Sequence, residues 1–502
     1  MFENLLMGFS ISLSLNNLLY CLIGTFIGTV VGILPGLGPA ATIALLLPLT
    51  FKLNVTSAVI MLAGIYYGVS YGGTLTSVLM KIPGEACTVI TCMDGYQMAR
   101  KGRAGPALGI SALGSFIGST FGIIGITLIA PPLSTIALTF GPAEYTALMV
   151  GGLTLVTYFS SKSLVKSIAM AVLGLILGCV GLDPIEGMER FTFGTLILMD
   201  GINIAPLAMG LFGIAEILMI AEGSIKQEGF VKTSTKIRNL LPNKKEWRDS
   251  IGPIFRGTPI GFFLGILPGG GAVMASFFSY ALEKRISKHP EKFGTGTIEG
   301  VAGPETANNS GTAGAFIPLL TLGLPFNVIT ALLLAAFMVH GVTPGPMILQ
   351  KNPEIFWGVV TSMYIGNIML LILNLPLIGI FINILRIPYP ILSPLIAAIC
   401  FVGVFTVNYN AMDVVLMVFF GLVGYLMRKF DYDAAPLMLA YVLGPLLERS
   451  LRQALILSDG SITIFFRKPI SIILLSVAFL SLMTPLIQIG YRFIKQVLFK
   501  RS

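Results

Sequence analysis

The segment Ala302-Gly303-Pro304-Glu305-Thr306-Ala307-Asn308-Asn309-Ser310-Gly311-Thr312 leads straight into an apolar run. Its side-chain oxygens are dense enough to coordinate Na⁺, and Glu305 is able to carry a proton. Glu305, Asn308, Asn309, Ser310 and Thr312 are therefore the candidate ion-coupling residues, against the plainer reading of an interfacial cap and loop. Ser70-Tyr71-Gly72-Gly73-Thr74-Leu75-Thr76 offers hydroxyls without a carboxylate in the corresponding part of the first half. Two further runs suit an anion: Pro35, Gly36, Gly38 and Pro39, and then Pro268, Gly269, Gly270 and Gly271. Proline removes a backbone donor and glycine permits unwound backbone. A half-helix that follows presents free N–H groups and a positive dipole end, which match a carboxylate. These two runs, with Ser70, Tyr71, Gly72, Gly73 and Thr74, are the candidate substrate-binding residues; the alternative for the Pro-Gly runs is a purely structural break. Lys81 and Glu85 flank another Pro-Gly pair and either pair with each other or touch substrate. Asp200 and Asn203 carry the same two readings.

Other chemistry has little material. There is no G-x-x-x-x-G-K-[ST] phosphate loop, so the chain is not its own ATPase. The two histidines are His289, in a charged loop, and His340, near an apolar segment end. The five cysteines, Cys21, Cys87, Cys92, Cys179 and Cys400, are odd in number and lie mostly in apolar runs, which indicates neither a disulfide framework nor a zinc site. No catalytic residues, cofactor or metal site is expected beyond a possible Na⁺ site, and energy must come from elsewhere, with Na⁺ or H⁺ the candidate coupling ion. An intramembrane enzyme, such as a lipid transferase, would need a catalytic dyad or metal cluster that the polar segments do not offer.

The elements that must position these residues follow from composition. Of 502 residues, 55% are hydrophobic and 11% charged, where a soluble domain carries roughly 25% charged residues. With a mean hydropathy of +0.88, so much apolar surface is hidden only in lipid. At about 20 apolar residues per crossing, the expectation is an all-α polytopic membrane protein of about 10–12 transmembrane segments. No basic residue precedes Lys52, so the cleavable-signal pattern is missing and insertion is expected to use the helices themselves. The net charge of +9 does not indicate nucleic acid, because the basic residues form short clusters between apolar stretches.

Three such clusters hold 14 of the 32 basic residues: Arg100, Lys101 and Arg103; Lys226, Lys232, Lys236, Arg238, Lys244, Lys245 and Arg248; and Lys284, Arg285, Lys288 and Lys292. All three are expected in the cytoplasm. The second and third flank only residues 251–282, so a single crossing there would strand one of them outside. A re-entrant hairpin broken at 265–271 resolves this, since a helix over 272–283 is about 18 Å long against a core of about 30 Å. The same break occurs earlier in the chain. Residues 24–38 match 257–271 at an offset of 233 (257 − 24), with ten of fifteen positions identical. Weaker echoes are Gly73-Thr74 with Gly311-Thr312, Gly105-Pro106 with Gly345-Pro346, and Pro206-Leu207 ahead of Glu216 with Pro436-Leu437 ahead of Glu448. Glycines 24, 28, 257 and 261 read as close helix packing through small residues.

Charge orients the halves. The loop after the first hairpin has only Lys52 while its counterpart has four basic residues, and the Arg100–Arg103 loop corresponds to His340–Thr343, which has none. Opposite signs at matching positions predict two inverted-topology repeats with re-entrant, Pro-Gly-broken helical hairpins, a plan used by secondary transporters. The expected organisation is an N-terminal segment (1–17), repeat 1 (18–222), a basic cytoplasmic linker (223–250), repeat 2 (251–450) and C-terminal helices (451–502).

The repeated Gly-Ile-Leu-Pro-Gly-x-Gly, the Tyr67-Gly68-Val69-Ser70-Tyr71-Gly72-Gly73-Thr74 run with Ile82-Pro83-Gly84-Glu85, and Pro304-Glu305-Thr306-Ala307-Asn308-Asn309 together resemble the large membrane subunit of tripartite tricarboxylate transporters, the TctA family. The resemblance covers nearly the whole chain. It implies a bacterial inner-membrane permease that works with a small membrane subunit and a periplasmic substrate-binding protein, driven by an ion gradient, with an organic carboxylate as substrate. An autonomous ion-coupled carboxylate symporter is the alternative that the hairpins alone equally allow.

Overall fold

Helices in lipid gain little from hydrophobic contact with one another, so close backbone approach through small residues decides which of them pair. Glycine does this work repeatedly in the chain. The computed structural model describes residues 1–34, 38–160, 163–183, 185–222, 231, 233, 236–269, 271–385 and 389–483. Those residues are helical throughout apart from loops and one two-residue antiparallel ladder, Gly181–Leu182 with Glu189–Arg190. Six helices among them are long and apolar enough to cross a membrane: Leu15–Ile33, Val55–Met80, Thr91–Ala137, Ile204–Ala221, Pro353–Asn374 and Ala411–Lys429. Shorter apolar helices, among them Leu164–Gly178 and Val328–Val339, accompany them. The protein is an all-α, multi-pass membrane protein.

The chain forms two compact units. One comprises Met1–Thr135 and Asn203–Phe430; the other comprises Ile136–Ile202 and the described residues from Asp431 onward. In the second unit, Leu164–Gly178 lies against Ala434–Leu457, where a Cβ at Gly174 would fall 2.1 Å from the Leu437 carbonyl oxygen. Asp183, Arg190, Glu448 and Arg452 form one ion-pair network there, with Arg190 Nη1 2.8 Å from Glu448 and Arg452 Nη1 3.1 Å from Asp183.

The first unit holds the helices that carry most of the candidate residues. They are α1 (Phe2–Ser12), α2 (Leu15–Ile33), α3 (Pro39–Leu46), α4 (Val55–Met80), α5 (Thr91–Met98), α6 (Ala104–Ala137), α7 (Lys244–Ile266), α8 (Gly271–Ile286), α9 (Glu299–Gly314), α10 (Phe316–Leu322), α11 (Val328–Val339) and α12 (Pro353–Asn374). Helix α2 lies on α4 so closely that a Cβ at Gly24, Gly28 or Gly32 would fall 2.2, 2.5 or 2.4 Å from the carbonyl oxygens of Met61, Ile65 and Val69. Helix α7 lies on α9 in the same way: a Cβ at Gly257, Gly261 or Gly265 would fall 2.5, 2.2 or 2.2 Å from the carbonyl oxygens of Gly303, Ala307 and Gly311. The first helices of the two pairs correspond at the offset of 233, and the second helices at 242 (303 − 61).

The second offset extends past the helix ends. Lys81 and Gly323 both close their helices in the left-handed region, at φ 59° and 69°. The next N–H bonds back over the same span in each, Ile82 to Thr76 and Leu324 to Pro318. Two capping boxes then match, Glu85 with Thr88 and Asn327 with Thr330. This register sets Val69 opposite Gly311, and Ser70 opposite Thr312. The echo of Gly73-Thr74 in Gly311-Thr312 is thus four residues out of step, because helix contact fixes the alignment and Gly73 serves a different neighbour, Gly84, whose Cβ would fall 2.3 Å from its Cα.

Two boundaries differ from the sequence reading. Helix α7 begins at Lys244, inside the stretch expected as linker, because Asn243 accepts the N–H groups of Lys245 and Glu246 while Glu246 accepts that of Asn243. Helix α8 runs to Ile286; its 16 residues amount to about 24 Å, still short of a bilayer core of about 30 Å.

Candidate functional site

Helix α9 is unusual in being both polar and wholly buried, from Gly300 to Gly314. Such a helix survives only if its polar groups are satisfied by neighbours or by something they bind. Two of its faces are satisfied by neighbours. Ser310 donates to the Thr258 carbonyl on α7 at 2.7 Å. Asn309 donates to Ser115 on α6 at 2.7 Å and to the Glu305 carbonyl one turn back at 3.2 Å. Behind them, glycines 114, 118 and 122 of α6 let that helix lie against Thr306, Ser310 and Ala313.

The third face carries Glu305, Asn308 and Thr312, spaced by three and four residues so that they stack along α9. Glu305 is fully buried and accepts Thr74 Oγ1 on one oxygen at 2.7 Å and the Thr91 hydroxyl on the other. Thr312 Oγ1 meets Ser70 Oγ at 3.5 Å, a contact between residues that occupy matching places in the two halves. Each hydroxyl also donates to a carbonyl one turn back, Thr312 to Asn308 and Ser70 to Tyr66. Asn308 has neither amide atom hydrogen-bonded, although the residue is 0% exposed.

Beside the Cys87 thiol, Asn308 and Ser70 lies the Glu85 carboxyl. Its cap bond from the Thr88 N–H occupies one side of the carboxylate, and Oε1 is buried without a partner. In the matching place of the second half, Asn327 accepts the Thr330 N–H at 2.8 Å and its hydroxyl at 3.1 Å, and Tyr66 adjoins it together with Thr312. Tyr66 stands where Asn308 stands, at the offset of 242.

The structure therefore gathers Ser70, Thr74, Glu85, Glu305, Asn308 and Thr312 from among the residues singled out in the sequence, and adds Thr91, Tyr66 and Asn327. Four candidates face supporting helices instead: Asn309 and Ser310, as above; Tyr71, whose hydroxyl donates to Asn367 on α12 at 2.7 Å; and Gly72, where a Cβ would fall 2.3 Å from the Thr29 carbonyl oxygen. Gly73 underlies the Glu85 turn through Gly84. Lys81 and Glu85 form no ion pair; the Lys81 ammonium lies over the Tyr96 ring at 5.9 Å from its centroid. Asn203 caps the helix that begins at Ile204, and Asp200 lies in the loop before it.

The Pro-Gly runs lie beside these breaks. Gly269, at φ +95°, donates its N–H to the Phe326 carbonyl at 3.2 Å, next to Asn327. In the first half Gly84, next to Glu85, stands where its Cβ would fall 2.3 Å from the Gly32 carbonyl oxygen, at the end of α2. Pro268 lies in the turn before Gly269, and Gly271 opens α8. Gly38 precedes Pro39, the first residue of α3, and no side chain caps that helix. Pro35, Gly36 and Gly270 lie outside the described residues. Among the described residues no three His, Cys, Asp or Glu side chains group as metal ligands.

One end of this unit collects the basic residues. Lys101 donates to the Thr295 carbonyl at 2.6 Å, and Arg103 pairs with Glu246 at 2.6 Å. A cavity of about 660 Å³ is lined there by Lys101 and Arg103, by Lys245, and by Lys292, so residues from all three basic clusters meet. Buried Asp94 on α5 ties this end together, accepting Tyr280 Oη at 2.8 Å and the N–H groups of Gly294, Gly296 and Thr297.

Residues 18–439 match the tripartite tricarboxylate transporter TctA family. A protein of Agrobacterium vitis from the TAR-I ttuC' 3' region, given as 52.8 kDa and uncharacterized, is 47% identical over 475 residues, which are 95% of this chain and 94% of that protein. Another uncharacterized protein of the same organism, from the TAR-II ttuC' 3' region, is 50% identical over 215 residues, 43% of this chain and 89% of its own length. No solved structure matches.

Proposed function

The chain belongs to the tripartite tricarboxylate transporter TctA family, and on that premise we propose that it is the large permease subunit of an ion-gradient-driven importer of a di- or tricarboxylate. Its partners in this reading are a small membrane subunit and a periplasmic binding protein that delivers the organic acid. The membrane is the bacterial inner membrane, and transport proceeds by alternating access. The observation that carries the reading is the unpartnered polar surface of Asn308 and Glu85 beside the Ser70–Thr312 contact, where the two similar halves meet. Unsatisfied polar groups inside a membrane bundle are costly and mark a place where something binds.

The two halves act as inverted repeats, with the two Pro-Gly hairpins re-entering from opposite sides of the membrane. Supporting this is the meeting of three basic clusters at one end of the first unit, as cytoplasmic loops would. The carboxylate is bound by the N–H groups that follow Gly38 and those around Gly269 to Gly271, whose positive helix ends face the anion. The coupling ion uses the polar face of α9, with the energy of its gradient driving the change between states.

The test is uptake of radiolabelled organic acids by proteoliposomes containing this chain and its small subunit, with and without the binding protein. Accumulation that needs both the binding protein and an ion gradient is expected. Equal accumulation without the binding protein would establish the autonomous symporter instead, and facilitated equilibration indifferent to any gradient would refute ion coupling. Single-cysteine labelling adds the sidedness: Lys101 and Lys244 positions react from the cytoplasm and Lys52 from outside, and reaction of all three from one side would refute the inverted arrangement.

A further inference from the structure

Asn308 and Glu85 together present buried oxygen with nothing to satisfy it. Asn308 Oδ1 and Nδ2 both lack partners in a residue that is 0% exposed, and Glu85 Oε1 lacks one too. Two hydroxyl oxygens, Ser70 Oγ and Thr312 Oγ1, complete the surroundings at 3.5 Å from each other. Resting on the reading of this protein as an ion-coupled permease, we propose that Glu85 Oε1 and Asn308 Oδ1, with the Ser70 and Thr312 hydroxyls, form the binding site of one monovalent metal cation of sodium size.

The charge count favours a monovalent ion. Glu85 is the one carboxylate with a bare oxygen at this place, since both oxygens of Glu305 are taken by Thr74 and Thr91. One carboxylate among the ligands suits a monovalent ion, whereas Ca²⁺ takes about 6–8 oxygen ligands, more than are gathered here. The ligand types agree as well, because carboxylate, amide and hydroxyl oxygens suit a hard cation. The site is also single. Its counterpart has neutral Asn327 engaged with Thr330, and Tyr66 in the place of Asn308.

This assigns Asn308 an expectation that no packing role would give. An unpaired buried amide costs stability in the absence of its ligand. Asn308→Leu, similar in volume, removes that cost and the ligand together. The experiment follows the melting temperature of the purified full-length chain in lipid nanodiscs, with NaCl replaced by choline chloride or KCl at constant ionic strength and fixed pH. The wild type is expected to melt higher as Na⁺ rises, as linkage requires of a ligand that binds only the folded state, and to respond weakly to K⁺. In Glu85→Gln and Asn308→Leu the Na⁺ concentration for half the shift should rise at least roughly tenfold, equivalent to about 1.4 kcal/mol. In choline, Asn308→Leu should melt at or above the wild type. Asn327→Ala should keep the wild-type Na⁺ shift from a lower starting temperature.

A wild type indifferent to Na⁺, or equal shifts in NaCl and KCl, would overturn the proposal. So would an Asn308→Leu variant that keeps the wild-type Na⁺ response. Because the probe is Na⁺ alone, a proton-coupled carboxylate permease would fail this test and still pass the uptake experiment, so the two failures are distinct.

Discussion

Two helix breaks of the first unit share one backbone device and differ in one charge. At residues 81–88 and 323–330, a left-handed residue ends a helix, a proline follows two residues later, and a side-chain cap starts the next helical turn. The cap is Glu85 in one and Asn327 in the other. The surroundings change with it: Asn308 and Ser70 beside Glu85, Tyr66 beside Asn327. The same backbone device thus occurs twice, and the two occurrences differ in the charge of the cap. A search for sequence identity between the halves finds the scaffold and passes over the site.

The largest expected effect tests the shared part. Gly28→Val and Gly261→Val place side chains where carbonyl oxygens of Ile65 and Ala307 stand 2.5 and 2.2 Å from the ideal Cβ. Backbone on the facing helix has no rotamer to give, so each variant should force α2 off α4 or α7 off α9. The penalty should exceed about 3 kcal/mol, the upper range for overpacking a core. The measurement is the amount of monodisperse protein extracted from membranes, and both variants should lose most of it. If only one half were sensitive, the matching of the two pairs would be superficial.

The next effect tests the divergent part. Glu85→Asn converts the first break into the form of the second, and Asn is a competent cap there, as Asn327 demonstrates. Protein level should therefore hold while carboxylate uptake falls at least roughly tenfold, the scale of losing a charged partner in a buried site. The converse, Asn327→Asp, keeps the cap and adds a second carboxylate, and should change uptake far less. Comparable losses in the two variants would mean that capping geometry, and not charge at residue 85, is what transport needs.

How much of this was legible in the sequence follows from the same contrast. The hairpin repeat was readable because glycine spacing is dictated by backbone approach, which tolerates almost no substitution. The likeness of Lys81–Glu85 to Leu322–Asn327 was readable only as a shared proline break, because its constraint is a cap and a left-handed turn, roles filled by Lys81 or Gly323 and by Glu85 or Asn327 alike. Pro83 and Pro325 did mark the breaks, and the Glu85-x-x-Thr88 and Asn327-x-x-Thr330 spacings were visible signals for the caps. Thr91 and Tyr66 carried no signal, since a hydroxyl within an apolar run is ordinary until its partner is known. The polar face of α9 was recognisable as a group, but separating Asn308 from Asn309 required knowing that α6 takes one of them. Discontinuous association of 136–202 with the segment after 431 rests on contacts remote in sequence and had no local trace.

The smallest effect separates packing from binding at the two hairpin breaks, which the sequence treats as equals. At Gly271 a Cβ would fall 2.8 Å from the Leu264 carbonyl oxygen and 2.9 Å from Gly265 Cα, whereas at Gly38 nothing lies within 4 Å. Gly271→Ala must therefore shift backbone and should cost about 1–3 kcal/mol. Gly38→Ala meets no such obstacle, and its φ of −52° is open to any residue. Its stability should stay within about 0.5 kcal/mol of the wild type. If the N–H groups after Gly38 receive the substrate carboxylate, the added methyl narrows that approach and raises the KM for uptake with little loss of protein. Thermal melts of both variants, alongside uptake over a range of substrate concentrations, decide the point. An unchanged KM in Gly38→Ala would remove the first hairpin from the anion site and leave its glycine as a relic of the shared scaffold.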